Sequence, residues 1–184
     1  MDESDGISAS AAPSGAGSSP PGSFTAESGG ASAAPAGGSQ ALRVDFYVLE
    51  ETAAAARLKV ACRLAEKAYL ASQRALIWHA DQAELEAVDA LLWTFADGSF
   101  VPHEWLTSNA AAEAPVLLSA GSAPTAPFDF VINLAADPPP FLHLTRRVAE
   151  IIDGDEGRRR AGRARFKAYR ELGIEPVTHT LRTE

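Results

Sequence analysis

The stretch Leu42-Arg43-Val44-Asp45-Phe46-Tyr47-Val48-Leu49 decides the fold, because its side chains alternate between an apolar and a more polar set. Such alternation predicts a β-strand with one apolar face. Immediately afterwards, residues 53–72 place apolar side chains on one helical stripe. The short apolar run Ala75–His79 predicts a second, buried strand. Strand, helix and strand in this order predict a three-layer α/β domain with a mainly parallel sheet.

The remaining elements continue this alternation. Asp81 is a good N-cap for a second helix, and a long loop over residues 100–115 follows that helix. Residues 116–119 and 128–133 predict strands, and the prolines of residues 138–140 suit the start of another helix. The apolar stripe of that helix is expected to be Phe141, Leu144, Val148 and Ile151. Asp155 caps a last helix that reaches about Leu172, and residues 177–181 predict a short final strand.

The first 41 residues differ in composition from the rest. They are almost wholly Ala, Ser, Gly and Pro, and they contain one aromatic residue, Phe24, and no Lys or Arg. Such a segment buries too little apolar surface to offset the entropy of ordering it, so we predict a disordered tail over 1–41 and one domain over 42–184. Of the net charge of −8, four charges come from the tail acids Asp2, Glu3, Asp5 and Glu27.

The sequence lacks the motifs of nucleotide-binding, nucleophilic and metal-dependent enzymes and of membrane-spanning proteins. The turn after the first strand reads Leu49-Glu50-Glu51-Thr52, with no glycine and with two carboxylates that would repel phosphate. The single cysteine, Cys62, falls on the predicted buried stripe of the first helix and is expected to be a core residue. The four histidines are scattered, so no catalytic, cofactor or metal site is predicted. No run of about 20 apolar residues indicates a membrane span, and a cytoplasmic location is expected.

The last helix carries the most informative pattern. At 100° per residue, four residues share one stripe that we expect to face away from the core: Arg159, Arg163, Phe166 and Arg170. The opposite stripe, expected to face the core, is Ala161, Ala164, Ala168 and Leu172. Arg158, Arg159 and Arg160 occupy the first turn, where guanidinium groups and the helix dipole together favour an anion. Trp93 is a second unusual residue, because it lies about 90° from the apolar stripe of its helix.

Two segments resemble a known family. Ser99-Phe100-Val101-Pro102-His103, after a helix ending in Leu91-Leu92-Trp93, resembles a motif of the chi subunit family of bacterial DNA polymerase III. The segment Arg163-Ala164-Arg165-Phe166-Lys167-Ala168-Tyr169-Arg170 is similar to the C-terminal helix of that family. The first strand also fits, and the resemblance covers about residues 42–182.

The resemblance implies a fold like that of mononucleotide-binding domains, without catalysis by the chain itself. It implies an accessory subunit of the polymerase holoenzyme, in which the nucleotidyltransferase activity belongs to the assembly and DNA is contacted indirectly. The implied partners are the acidic, Phe-ended C-terminal tail of the single-stranded-DNA-binding protein and, through the psi subunit, the clamp loader. By residue-wise correspondence, the tail-binding set is Trp93, Phe100, Arg159, Arg163 and Phe166, to which the helical stripe adds Arg170.

Two other readings stay open at this stage. A direct single-stranded nucleic-acid binder would use the arginines of the last helix together with stacking on aromatic rings. An enzyme would have retained the nucleotide-binding fold and would use His79 or His103, although no nucleophile-base pair is apparent. The small size of the basic face on an acidic protein favours capture of an acidic peptide.

Overall fold

A computed structural model of the chain describes residues 41–107 and 113–181. In this part of the chain, strands form a single sheet in which every paired neighbour runs parallel. The strands are β1 (Arg43–Leu49), β2 (Ala75–His79), β3 (His103–Trp105), β4 (Val116–Ala120), β5 (Phe130–Asn133), β6 (Arg147–Ile152) and β7 (Val177–Leu181). Their order across the sheet is β3-β4-β2-β5-β6-β1-β7.

Helices cover both faces of this sheet. They are α1 (Ala54–Leu70), α2 (Gln82–Leu92) and α3 (Glu156–Glu171). Alternate residues of β2 show the division, since Ile77 packs in one core with the α1 and α2 side chains, whereas Leu76 and Trp78 pack in a second core with Tyr169 of α3. The predicted three-layer α/β fold with a parallel sheet is therefore confirmed.

The helix starts follow from local chemistry. The Asp81 carboxylate accepts a hydrogen bond from the Ala83 N–H at 2.9 Å, and Asp155 accepts one from the Arg158 N–H at 2.8 Å. Both aspartates are N-caps, as their positions predicted. The predicted core stripe of α2 is also confirmed, because Leu85, Val88 and Leu92 are all buried.

One predicted helix is wrong. The segment after residues 138–140 forms only a short 3-10 turn (Leu142–Leu144) and then enters β6. β6 lies between β5 and β1 and is covered on both faces, so Val148 and Ile151 sit on opposite faces of the sheet. A strand buried on both faces carries a near-continuous apolar run, and its spacing imitates a helical stripe by chance.

Two further predictions concern the loop over residues 100–115 and the N-terminal tail. The expected long loop over residues 100–115 contains the short edge strand β3, which the sequence did not indicate. The predicted disordered tail, residues 1–41, falls outside the described residues except for its last position. In the described part of the chain, no helix is long and apolar enough to cross a membrane.

Candidate functional site

A groove runs along α3 on the face of the sheet that α3 covers. Its floor is made by Phe46 and Val48 of β1 and by Ile152 of β6. Its α3 wall carries Arg159, Gly162, Arg163 and Phe166, and Thr178 of β7 lies at its other side. We call these eight residues the α3 groove, which has a volume of about 340 Å3.

The aromatic ring of the groove is held by the sheet. Phe166 is half-buried, and its ring meets that of Phe46 edge to face with centroids 5.2 Å apart. Edge-to-face contact is a preferred arrangement for two rings and fixes the orientation of Phe166. Phe166 therefore presents apolar surface inside the groove while it remains attached to the core.

Two guanidinium groups border this apolar surface. Arg159 and Arg163 are both exposed, and Arg159 donates one hydrogen bond to the backbone carbonyl of Asp153 at 3.2 Å. None of the carboxylates in the described part of the chain forms an ion pair with either residue. Both positive charges are thus available to an anion that enters the groove.

Two other cations of α3, Arg158 and Arg170, already have acidic partners. Arg158 donates to Asp153 at 2.8 Å, and this hydrogen bond raises the pKa of Arg158. Arg170 lies 3.4 Å from the carboxylate of Glu175 and does not line the groove. The predicted first-turn anion site thus loses Arg158, and the predicted binding stripe loses Arg170 from the groove lining.

The predicted core face of α3 is wrong. Ala164 and Leu172 are exposed, and the buried side of the helix is Gly162, Arg165 and Tyr169. Arg165 is not among the residues predicted to face the core, and burial of a lone arginine is costly. The only signal was the acidic Glu150 inside an apolar run, and it has meaning only once β6 is recognised as a strand.

Arg165 and Glu150 form the centre of a buried polar cluster. The Arg165 Nε donates to a Glu150 carboxylate oxygen at 2.7 Å, and the Tyr169 hydroxyl donates to the other at 2.6 Å. Asn133 of β5 donates at 2.9 Å. Burial raises the pKa of Glu150, while these three donors act in the opposite direction. The cluster fixes α3 to two strands and so sets the position of the α3 groove.

Trp93 and Phe100 lie elsewhere. Their rings are 5.6 Å apart, and Trp93 also contacts the ring of His103 at 4.8 Å. Neighbouring residues such as Phe95 and Val101 belong to the core on the α1 and α2 face. The expectation that these two rings share one pocket with Phe166 is therefore wrong, because opposite faces of the sheet carry the two sets. Trp93 is 55% exposed and Phe100 is 60% exposed.

The candidate catalytic residues Cys62 and His103 have the surroundings of residues that stabilise the fold. Cys62 is fully buried, and burial raises the pKa of its thiol to about 12. His103 is nearly buried and uses its Nδ1–H to donate to the Val101 carbonyl at 2.7 Å. Among residues 41–107 and 113–181, no group of three His, Cys, Asp or Glu side chains could hold a metal ion.

Comparison with known proteins gives a consistent family. The family model described as DNA polymerase III chi subunit, HolC, matches residues 42–177. The chain is 40% identical over 139 residues to the DNA polymerase III subunit chi of Pseudomonas aeruginosa, covering 76% of this chain and 96% of that relative. Identity to the chi subunit of Haemophilus influenzae is 26% over 129 residues, covering 70% of this chain and 90% of that one.

Solved structures support the fold alone. The C-terminal domain of the DEAD-box protein Dbp5 matches with a TM-score of 0.54 at 12% identity, covering 77% of this chain and 91% of that chain. T4 UvsW matches with a TM-score of 0.57 at 10% identity, covering 77% of this chain and 42% of that chain. At such low identity, nothing about activity transfers from either protein.

Proposed function

The chain belongs to the DNA polymerase III chi subunit family, and we propose that it serves this polymerase by capturing the acidic, Phe-ended C-terminal tail of the single-stranded-DNA-binding protein in the α3 groove. A chi subunit is an accessory subunit of the polymerase. The observation that carries the proposal is that one groove combines an apolar floor with two guanidinium groups that have no ion-pair partner in the described part of the chain.

The chemistry of such a peptide matches the groove in two respects. Its side-chain and terminal carboxylates would accept charge-assisted hydrogen bonds from Arg159 and Arg163, each of which contributes about 1.5–3 kcal/mol. Its terminal ring would rest on Phe46, Ile152 and Phe166, where burial of apolar surface adds to the binding free energy. A peptide with both features gains from both halves of the groove.

Direct capture of single-stranded nucleic acid fits the same residues less well. Proteins of that kind combine a basic channel with a series of exposed rings on which successive bases stack. The α3 groove holds two rings, of which Phe46 is buried in its floor and only Phe166 is partly exposed. The exposed rings of Trp93 and Phe100 lie on the other face of the sheet. The arginines of α3 therefore lack the stacking partners that this function needs.

The test is a titration of the full chain with two ligands at matched salt. One is a fluorescent acidic peptide ending in Asp-Phe with a free carboxyl group, and the other is an oligothymidine strand. We expect saturable peptide binding that disappears when the terminal Phe is replaced by Ala, and little binding of the oligonucleotide. Saturable oligonucleotide binding without peptide binding would overturn the proposal.

The exposed pair Trp93–Phe100 supports a second partner. Large exposed rings packed side by side are unusual on a surface without a binding role, and aromatic residues are enriched in protein interfaces. We assign this pair to the link with the clamp loader through the psi subunit. The two partners could then bind at the same time, because the pair and the α3 groove lie on opposite faces of the sheet.

This assignment predicts separable defects. Phe100→Ser removes an exposed ring, so it should lower recovery of purified psi subunit on the immobilised chain by tenfold or more, at about 1.4 kcal/mol per tenfold change. Peptide affinity of the same variant serves as the control and should stay at the wild-type value. Loss of peptide binding together with psi binding would mean that the two surfaces are not independent.

We further propose that the chain has no catalytic activity of its own and acts in the cytoplasm together with the polymerase. The support is the acidic, glycine-free turn after β1, which stands where nucleotide-binding sheets place a phosphate loop.

A further inference from the structure

The edge strand β7 has the properties of a template for another strand. β7 pairs with β1 on one side, and no other described strand pairs with its outer edge. Its sequence Val-Thr-His-Thr-Leu is rich in β-branched residues and contains no Lys, Pro or acid. Proteins ordinarily protect an exposed edge with charges, prolines, bulges or a very short strand. The other edge strand, β3, has three residues, whereas β7 has five unprotected ones.

Both sides of β7 are basic and partly apolar. On the α3 side, Thr178 lines the α3 groove together with Arg159 and Arg163. On the α1 side, Leu181 borders a cavity of about 310 Å3. The other residues lining that cavity include the apolar Ala56 and Val60, the cations Lys59 and Arg63, and one acid, Glu51. A segment lying along β7 would therefore have two cations on each side.

The four cations beside β7 distinguish between two possible partners of this edge. A second copy of the chain, paired edge to edge through β7, would bring two sets of four cations towards one another, and like charges in proximity disfavour association. An acidic extended segment has the complementary charge. Side chains of a strand alternate between faces, so its carboxylates would reach Lys59 and Arg63 on one face and Arg159 and Arg163 on the other.

We propose that β7 receives the residues preceding an acidic terminus held in the α3 groove, and that they add to the sheet as an eighth strand. This inference rests on the proposed function, since the same peptide would occupy both places. Strand addition supplies affinity through main-chain hydrogen bonds, and side chains on alternate faces supply selectivity. The terminal ring would fix the peptide at one end, and β7 would then order its preceding residues.

The experiment uses the full chain and synthetic peptides. The first peptide is Asp-Asp-Asp-Phe with a free carboxyl group, and the second extends it by roughly eight residues of alternating Asp and Thr, enough to span β7 at about 3.3 Å per residue. Two further peptides carry backbone N-methyl groups in this extension, either at its odd or at its even positions. Amide hydrogen exchange of Val177–Leu181 is followed alongside affinity.

We expect the extended peptide to bind about tenfold more tightly than the tetrapeptide. One N-methylated peptide should lose this gain and the other should keep it, because alternate residues of a strand direct their N–H groups to the same side. The outward-facing amides of β7, which do not pair with β1, should become protected only with the extended peptide.

Other results overturn the inference in distinguishable ways. If the tetrapeptide binds and the extension adds nothing, or if both N-methylated peptides keep the gain, strand addition is wrong and the α3 groove stands. If no peptide binds, the proposed function fails and this inference fails with it. If the outward-facing amides of β7 are already protected in the free chain, the edge is occupied by another segment or, where protection depends on protein concentration, by a second copy.

Discussion

At the scale of single residues, the same helix uses arginine for two different purposes. Arg165 is 4% exposed and is enclosed with Glu150, whereas Arg163, two residues earlier, is exposed without an acidic partner in the described part of the chain. Charge count alone cannot distinguish the two, since both stand in an unbroken basic segment. Burial and pairing decide that Arg165 stabilises the fold and that Arg163 is free to bind.

The buried pair gives a prediction about stability. Arg165→Ala leaves the Glu150 carboxylate enclosed without its cation, and breaking a buried pair in this way costs about 3–5 kcal/mol. Urea unfolding followed by circular dichroism measures this change. Arg160→Ala, on an exposed turn of the same helix, is the control and should change the free energy of unfolding by less than about 0.5 kcal/mol. Equal effects of the two substitutions would show that the cluster does not stabilise α3.

At the scale of elements, the approach of α3 to β6 shapes the groove. Gly162 faces Ile152, and a Cβ added at Gly162 would collide with Cδ1 of the isoleucine side chain. Since Ile152 is part of the groove floor, its displacement would alter the surface offered to a ligand ring. Glycine at this position therefore maintains the shape of the groove floor and is not needed for helix formation.

Gly162→Ala is expected to reduce peptide affinity several-fold with little change in stability. Alanine improves helix propensity by about 1 kcal/mol, which offsets the cost of moving Ile152. The double variant Gly162→Ala with Ile152→Val removes the colliding Cδ1 and should bind the peptide better than the single variant does. Fluorescence titration gives both affinities. A double variant no better than Gly162→Ala would show that this contact does not shape the groove.

Elements also show what the sequence could and could not predict. Alternation in β1, the compact apolar run of β2 and the Asp81 and Asp155 caps are local signals, and each predicted its element. The prediction for β6 was wrong, because Val148 and Ile151 satisfy a helical spacing. The strands that pair with β6 on either side come from distant parts of the chain, so the sequence around β6 does not reveal them. The predicted core face of α3 was wrong for a related reason, since Arg165 is buried only because Glu150 lies opposite.

The candidate site was predictable in part. Helical spacing alone placed Arg159, Arg163 and Phe166 on one face, and the structure keeps them in one groove. The position of Trp93 and Phe100 depends on which face of the sheet α2 covers. The spacing of residues along one helix does not show which face of the sheet that helix covers. The expectation of one shared pocket could therefore be corrected only from the structure.

At the scale of the whole molecule, the fold has the three layers common to parallel α/β sheets, and the turn after β1 differs from a phosphate loop. The turn after β1 carries Glu50 and Glu51, and the Glu51 carbonyl accepts a hydrogen bond from the Gly154 N–H at 2.6 Å. The turn is thereby tied to the β6–α3 connection and offers carboxylates where a phosphate loop would offer N–H groups. This turn supports the proposal that the molecule presents surfaces to proteins instead of a nucleotide site.

ATP with Mg²⁺ should consequently produce no saturable heat in calorimetry at concentrations up to about the millimolar range, which corresponds to a binding free energy weaker than about −4 kcal/mol. Repulsion by the two carboxylates is the physical reason. The acidic peptide, injected into the same sample, serves as the positive control. Micromolar affinity for ATP would mean that this turn accommodates phosphate.

The central claim is that the α3 groove captures an acidic peptide, and one pair of charge reversals tests it most directly. Arg163→Glu changes the charge inside the groove, whereas Lys167→Glu makes the same change one turn later at an exposed residue outside it. In a fluorescence titration with the Phe-ended acidic peptide, we predict that Arg163→Glu weakens binding by about 100-fold or more, because repulsion adds to a lost charge-assisted contact. Lys167→Glu should stay within about threefold of wild type. An unchanged affinity for Arg163→Glu, or an equal loss in both variants, would contradict the claim.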